Sequence, residues 1–123
     1  MQQILHAQAD SEYMDQEQID YFKNKLLEKK QELLEKMAVA KEKIQTLKTT
    51  DADILDRSNT MIDMELELKA SQRYGQVLRE IEGALSRIED GRFGYCTVTG
   101  EPIGLKRLEA IPFAAMSIQA LEE

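Results

Sequence analysis

The chain has 123 residues, 32% of them charged, with a formal net charge of −7 and no tryptophan. That length fits one domain with at most a small appended lobe, and high charge with few aromatics suits exposed helices better than a large compact core. The negative balance argues against wholesale binding to a nucleic-acid backbone, which needs surplus Lys and Arg, and a single cysteine, Cys96, allows no internal disulfide.

No stretch approaches the roughly 20 apolar residues that span a bilayer. The N-terminus, MQQILHAQADSEYM, lacks the basic start and apolar run of a signal peptide. A soluble cytoplasmic chain is expected. Its charge is unevenly placed. Lys23 to Lys48 holds eight Lys against four Glu, whereas Asp51 to Glu67 holds six acids against Arg57 alone.

Residues 1–12 read as a polar tail, where His6 has no second ligand nearby with which to hold a metal. Asp15 is a good N-cap, with Gln18 in capping-box spacing. Apolar positions then recur in threes and fours at Ile19, Phe22, Leu26, Leu33, Met37, Ala40, Ile44 and Leu47, with Lys29 where one is missing. That is a helix with one narrow apolar stripe, close to a coiled-coil seam.

Thr49-Thr50-Asp51-Ala52-Asp53 breaks the pattern, because short polar side chains compete for local backbone bonds. A second helix is predicted from about Asp56 to Asp90, with its stripe at Met64, Leu68, Ser71, Tyr74 or Gly75, Leu78, Ile81, Leu85 and Ile88. A lone helix cannot bury such a stripe; antiparallel pairing buries both. Asp90-Gly91 ends the helix with a glycine for the left-handed cap. Gly94, Gly100, Pro102 and Gly104 then change the texture. Thr99-Gly100-Glu101-Pro102 reads as a tight turn between two short extended pieces, Leu105 to Ala110 as another strand or turn, and Phe113 to Glu123 as a short C-terminal helix starting just after Pro112.

The expected fold is mainly α: a long antiparallel coiled-coil hairpin over 13–90 with an acidic tip at 49–58, and a small globular lobe over 91–123 that includes the C-terminal helix. The tip carboxylates have several readings. At a helix start, Asp53 and Asp56 serve as caps. On a tip they are also placed to share a magnesium ion with a partner's ligands, to form ion pairs, or to rearrange a partner's catalytic loop; alone they fall short of the six to eight oxygens of a calcium site. Catalysis by this chain itself is not expected, because an exposed tip has no walls to desolvate a carboxylate and raise its pKa.

Several blocks together carry a resemblance: Tyr13-Met14-Asp15, Gln18 and Phe22; Asp53-x-x-Asp56-Arg57; Phe93-Gly94-Tyr95-Cys96; and Gly100-x-x-Ile103-Gly104-x-x-Arg107-Leu108-Glu109-Ala110-x-Pro112. Over nearly its whole length the chain resembles the DksA/TraR family of RNA polymerase-binding regulators. The resemblance implies a monomer that binds RNA polymerase and not a specific DNA sequence. It implies insertion of the tip (Asp53, Asp56, Arg57 and Ser58) into the polymerase secondary channel to modulate initiation, with Arg73 and Arg107 as further polymerase contacts.

The chain departs from the family pattern in places. Ile54 and Ser58 stand where the family often has Pro and Ala. The four-cysteine zinc site of the family is reduced to Cys96, Thr99, Ser117 and Ala120, so a zinc-finger-like lobe without zinc is expected, held by packing of Phe93, Tyr95, Ile103, Leu105, Leu108 and Ile118. Cys96 then reads as a partly buried structural thiol, with a redox sensor as the alternative. Glu80, Ile111 and Leu121 occupy the positions at which the best-known members use cations to bind guanosine tetraphosphate (ppGpp), so a weak or absent ppGpp response is expected, unless Arg79, Lys106 or Arg107 takes over the phosphates. Two other functions compete: a Gre-like transcript-cleavage factor, whose hairpin precedes a larger domain, and a coiled-coil adaptor with no polymerase role and no need of Asp53 and Asp56.

Overall fold

The computed structural model describes residues 13–49, 54–117 and 121, with residues 54–58 described by their backbone alone. Three helices follow in order: α1, Gln16–Thr49; α2, Ile54–Asp90; and α3, Leu105–Ala110. The two long helices pack as a hairpin. The chain forms two compact units, Lys30–Leu78 and the combination of Met1–Lys29 with Arg79–Glu123.

α1 begins as its sequence predicts. The Asp15 side chain accepts the Gln18 amide at 3.0 Å, and the Gln18 side chain accepts the Met14 amide at 2.7 Å. This is a capping box displaced by one residue, and it places Gln18 out of contact with solvent. α2 ends in a Schellman motif. Gly91 has φ +77°; its amide donates to the Ile88 carbonyl at 3.3 Å, and the Arg92 amide donates to the Arg87 carbonyl at 2.8 Å.

In the unit Lys30–Leu78, the pairing order shows the antiparallel run. Lys36 lies over the Tyr74 ring at 6.0 Å, and the later Lys43 meets the earlier Glu67 at 3.6 Å. Leu33 and Ala40 are buried, while Met37, Ile44, Leu47, Met64 and Tyr74 are half-buried. Leu68, expected in the seam, is 46% exposed; the half-buried neighbour Glu67 takes the inward position and is paired there with Lys43. A stripe this thin leaves Val39, Met61, Ile62 and Leu66 exposed as well.

The other unit holds the denser core. Tyr21, Phe22, Leu26, Ile81, Ala84, Phe93, Cys96, Ile103, Leu108 and Ala114 are all buried. Phe22 stacks edge-on to Tyr21 at 5.0 Å and meets Phe93 at 6.0 Å. Full burial of such a side chain contributes about 1.5–3 kcal/mol. Of the expected lobe core, Phe93, Ile103 and Leu108 are buried, Tyr95 and Leu105 are half-buried, and Ile118 lies outside the described residues.

Three local expectations are corrected. Leu105–Ala110 is helical, because Gly104 at φ +106° redirects the chain and Leu108 completes the core from the helix's inner face. Residues 113–117 are turn and irregular structure, not helix; the Leu121 amide donates to the Ser117 carbonyl at 3.1 Å. The extended pieces around Thr99–Pro102 amount to one antiparallel bridge, Tyr95 with Pro102, and no strand forms among the described residues. Proline lacks the N–H that would continue the ladder.

Candidate functional site

Of the expected tip residues, Asp53 lies outside the described residues. Asp56, Arg57 and Ser58 belong to α2, and their side chains lie outside the description too. Arg73 is exposed in the unit Lys30–Leu78. Arg107 is half-buried on α3 in the other unit, where its Nε donates to the Met116 carbonyl at 2.9 Å.

The lobe is tied to the start of α1 by two polar clusters. Tyr13 donates its hydroxyl to the Gly94 carbonyl at 2.7 Å and accepts the Gly104 amide at 3.0 Å. Burial pushes the Tyr13 hydroxyl pKa up, partly offset by the Gly104 amide. A side chain at Gly94 would overlap Met14, since an added Cβ would stand 2.6 Å from Met14 Cγ. This close approach explains the glycine of Phe93-Gly94-Tyr95-Cys96. In the second cluster, Glu109 on α3 accepts the Tyr21 hydroxyl and the Lys25 ammonium, each at 2.5 Å. Burial pushes the Glu109 carboxyl up, but Lys25 and Tyr21 outweigh it and hold it below the ordinary range. Burial, and then the bond to Glu109, push Tyr21 up to about 12.

Cys96 is the one cysteine among the four positions expected for a zinc site. Its sulfur accepts the amides of Val98 and Thr99, both at 3.4 Å. The Thr99 hydroxyl and the Ser117 backbone also bond to it, and these contacts, the Thr99 hydroxyl foremost, lower its pKa to about 6 against the opposing effect of burial. Three of the four degenerate positions (Cys96, Thr99 and Ser117) are therefore brought together, while Ala120 lies outside the described residues. A structural zinc wants about four N or S ligands. One thiolate, already engaged by amides and a hydroxyl, does not fit that need, and no group of three or more His, Cys, Asp or Glu placed to hold a metal occurs among the described residues. Hydrogen bonds from the Val98 and Thr99 amides hold the sulfur.

Glu80, Ile111 and Leu121 line a single cavity of about 460 Å³, together with Arg79, Arg87 and Arg107. Lys106 is not part of its wall. Arg87 was not among the residues expected at a site. Its guanidinium folds back over Gly83, 3.4 Å from where a Cβ would be, and its Nε and Nη2 are buried without a hydrogen-bond partner among the described residues. The one available signal was Gly83 four residues before Arg87, the spacing that stacks side chains on one helix face.

A helical hairpin followed by a lobe patterned like a zinc finger is also what comparison with known proteins finds. The family model described as DnaK suppressor protein DksA, N-terminal domain, matches residues 18–88, and that of the prokaryotic dksA/traR C4-type zinc finger matches residues 91–120. The chain belongs to the DksA/TraR family. The RNA polymerase-binding transcription factor DksA of Caulobacter vibrioides is 43% identical over 113 residues, covering 92% of this chain and 80% of the relative. That of Escherichia coli K12 is 32% identical over 107 residues, covering 87% and 71%. The structure of transcription factor DksA2 from Pseudomonas aeruginosa superposes with a TM-score of 0.89 at 34% identity, covering 99% of this chain and 94% of that one. No described helix is long and apolar enough to cross a membrane.

Proposed function

We propose that this chain binds RNA polymerase and regulates transcription initiation by inserting the acidic tip of its hairpin into the secondary channel. The observation that carries the reading is the extent of the family match, which takes in both the hairpin and the lobe and includes relatives named as RNA polymerase-binding transcription factors. Asp53 and Asp56, seconded by Arg57 and Ser58, act near the active centre, while Arg73 and Arg107 contact polymerase. Met61, Ile62 and Leu66, 70%, 57% and 60% exposed, add apolar surface of the kind a protein partner covers.

The lobe works without zinc, held by its core and by the bonds to the Cys96 sulfur. The regulation is nearly independent of ppGpp. Glu80 shares a cavity wall with Ile111 and Leu121, the other two positions expected for the nucleotide, and a carboxylate there repels phosphate. The test is transcription in vitro from a sensitive ribosomal RNA promoter with Asp53→Asn/Asp56→Asn beside wild type. The double variant is expected to bind core polymerase as wild type does and to lose the regulatory effect. Full regulation by the variant would refute the tip's role. An unchanged response on adding ppGpp, with a polymerase lacking its own nucleotide site, is expected in the same assay.

A further inference from the structure

A second cavity, of about 300 Å³, opens beside the single cysteine, and among the described residues two arginines and no carboxylate line its wall. Arg87 and Arg92 line it, with Gly91, Tyr95, Cys96 and Gly100. Arg92 gives one nitrogen to Asp90 at 2.8 Å. Arg87 has no such partner. Its Nε and Nη2 are buried without an acceptor among the described residues, and these two nitrogens form the edge of a guanidinium that grips an oxyanion with two parallel bonds. Burial and the like charge of Arg92 both work against the Arg87 cation. The Cys96 sulfur accepts hydrogen bonds from Val98 and Thr99, and the last carbonyls of α2 are capped by the Gly91 and Arg92 amides. Gly91 and Gly100 each leave open space where a side chain would stand. The larger cavity nearby is less suited to an anion, because Glu80 shares its wall and Arg107 is bonded to Met116.

We propose that the cavity between Arg87 and Arg92 binds a small doubly charged oxyanion of the phosphate class. Arg87 turns its covered Nε–Nη2 edge outward to meet the anion, and Arg92 supplies the second cation while keeping Asp90. The bound anion lies beside Cys96, so occupancy disfavours the thiolate and slows its reaction with an alkylating reagent. The site is separate from polymerase regulation through the tip and stands or falls independently of it.

The experiment titrates the full-length protein with inorganic phosphate at constant ionic strength, against chloride. It follows the Arg side-chain Nε–H signals by NMR and the rate of Cys96 alkylation by iodoacetamide. Saturable shifts at Arg87 and Arg92 with slowed alkylation are expected. Arg92→Met should weaken phosphate at least ten-fold, about 1.4 kcal/mol. Arg87→Lys should do the same by removing the fork while keeping the charge, and Arg107→Met should change nothing. Glycerol phosphate in a second titration tells whether a phosphomonoester is also taken. Absence of a saturable response to phosphate would overturn the proposal, as would an equal loss in Arg107→Met. If Arg87→Lys fails to fold, Arg92→Met decides alone, since Arg92 is exposed and its side chain pairs locally with Asp90.

Discussion

Gly94→Ala should destabilise the protein more than any other glycine-to-alanine change in the lobe. Gly94 has φ +91°, a conformation that costs an L-residue about 1–2 kcal/mol. The new methyl would also stand 2.6 Å from Met14 Cγ, 2.9 Å from Met14 Sδ and 3.3 Å from the Tyr13 hydroxyl. Met14 is 8% exposed, so its displacement forfeits part of the roughly 1.5–3 kcal/mol that burial of such a side chain contributes. The total is about 2–4 kcal/mol. Gly100→Ala is the control: φ is +78°, but nothing lies within 4 Å of the added methyl, so strain alone acts, about 1–2 kcal/mol. Urea denaturation followed by circular dichroism, with the midpoint compared at constant slope, measures both. Adding Met14→Ala to Gly94→Ala should cost less than the two single changes together, because it removes the clashing atoms. Equal losses for Gly94→Ala and Gly100→Ala, or strict additivity with Met14→Ala, would refute the close-approach argument.

Three further outcomes are expected. Glu109 is ionised below its ordinary range in the folded chain, so its contribution is present above about pH 4.3 and lost as pH falls through the lowered folded value. Glu109→Gln should therefore lower stability by about 1 kcal/mol at pH 7, the partial exposure of the pair keeping the effect small, and by less at pH 3. Cys96 titrates at about 6 instead of 9.0; its stabilising effect is complete above the ordinary value and fades as pH falls from there towards 6. The melting-temperature advantage of wild type over Cys96→Ser should shrink across that range, and Thr99→Val should move the thiol midpoint, read by ultraviolet thiolate absorbance, upward. Purified protein should carry far less than one zinc per chain and melt unchanged after chelator treatment, whereas stoichiometric zinc with loss of structure on chelation would contradict the hydrogen-bonded sulfur.

Periodicity was enough to determine α1 and α2, because an apolar stripe in steps of three and four has no other way to be buried. Local chemistry determined their ends: Asp15 with Gln18 at the start of α1, and Gly91 at the close of α2, act on backbone groups within a few residues. The motif around Cys96 carried the family because Gly94 and Gly100 sit at positive φ, although at Gly94 the distant Met14 adds a second need for glycine that spacing does not express. Periodicity failed where long-range contacts decide. Leu68 faces outward although it lies on the apolar stripe, because Glu67 can pair with Lys43 across the hairpin. Leu105–Ala110 is too short to declare a helical period; it becomes a helix because Leu108 fills the core and Glu109 reaches Tyr21 and Lys25, both more than 80 positions earlier. That Thr99, Ser117 and Ala120 are not cysteine was plain in the sequence, but what two of them do instead was not. Thr99 and Ser117 bond to the Cys96 sulfur, a convergence that spacing cannot express because the tertiary fold alone brings residues 96 and 117 together. Arg87 was hidden for the same reason: whether a guanidinium near a helix end meets a partner, water or a cavity depends on what the rest of the chain packs against it.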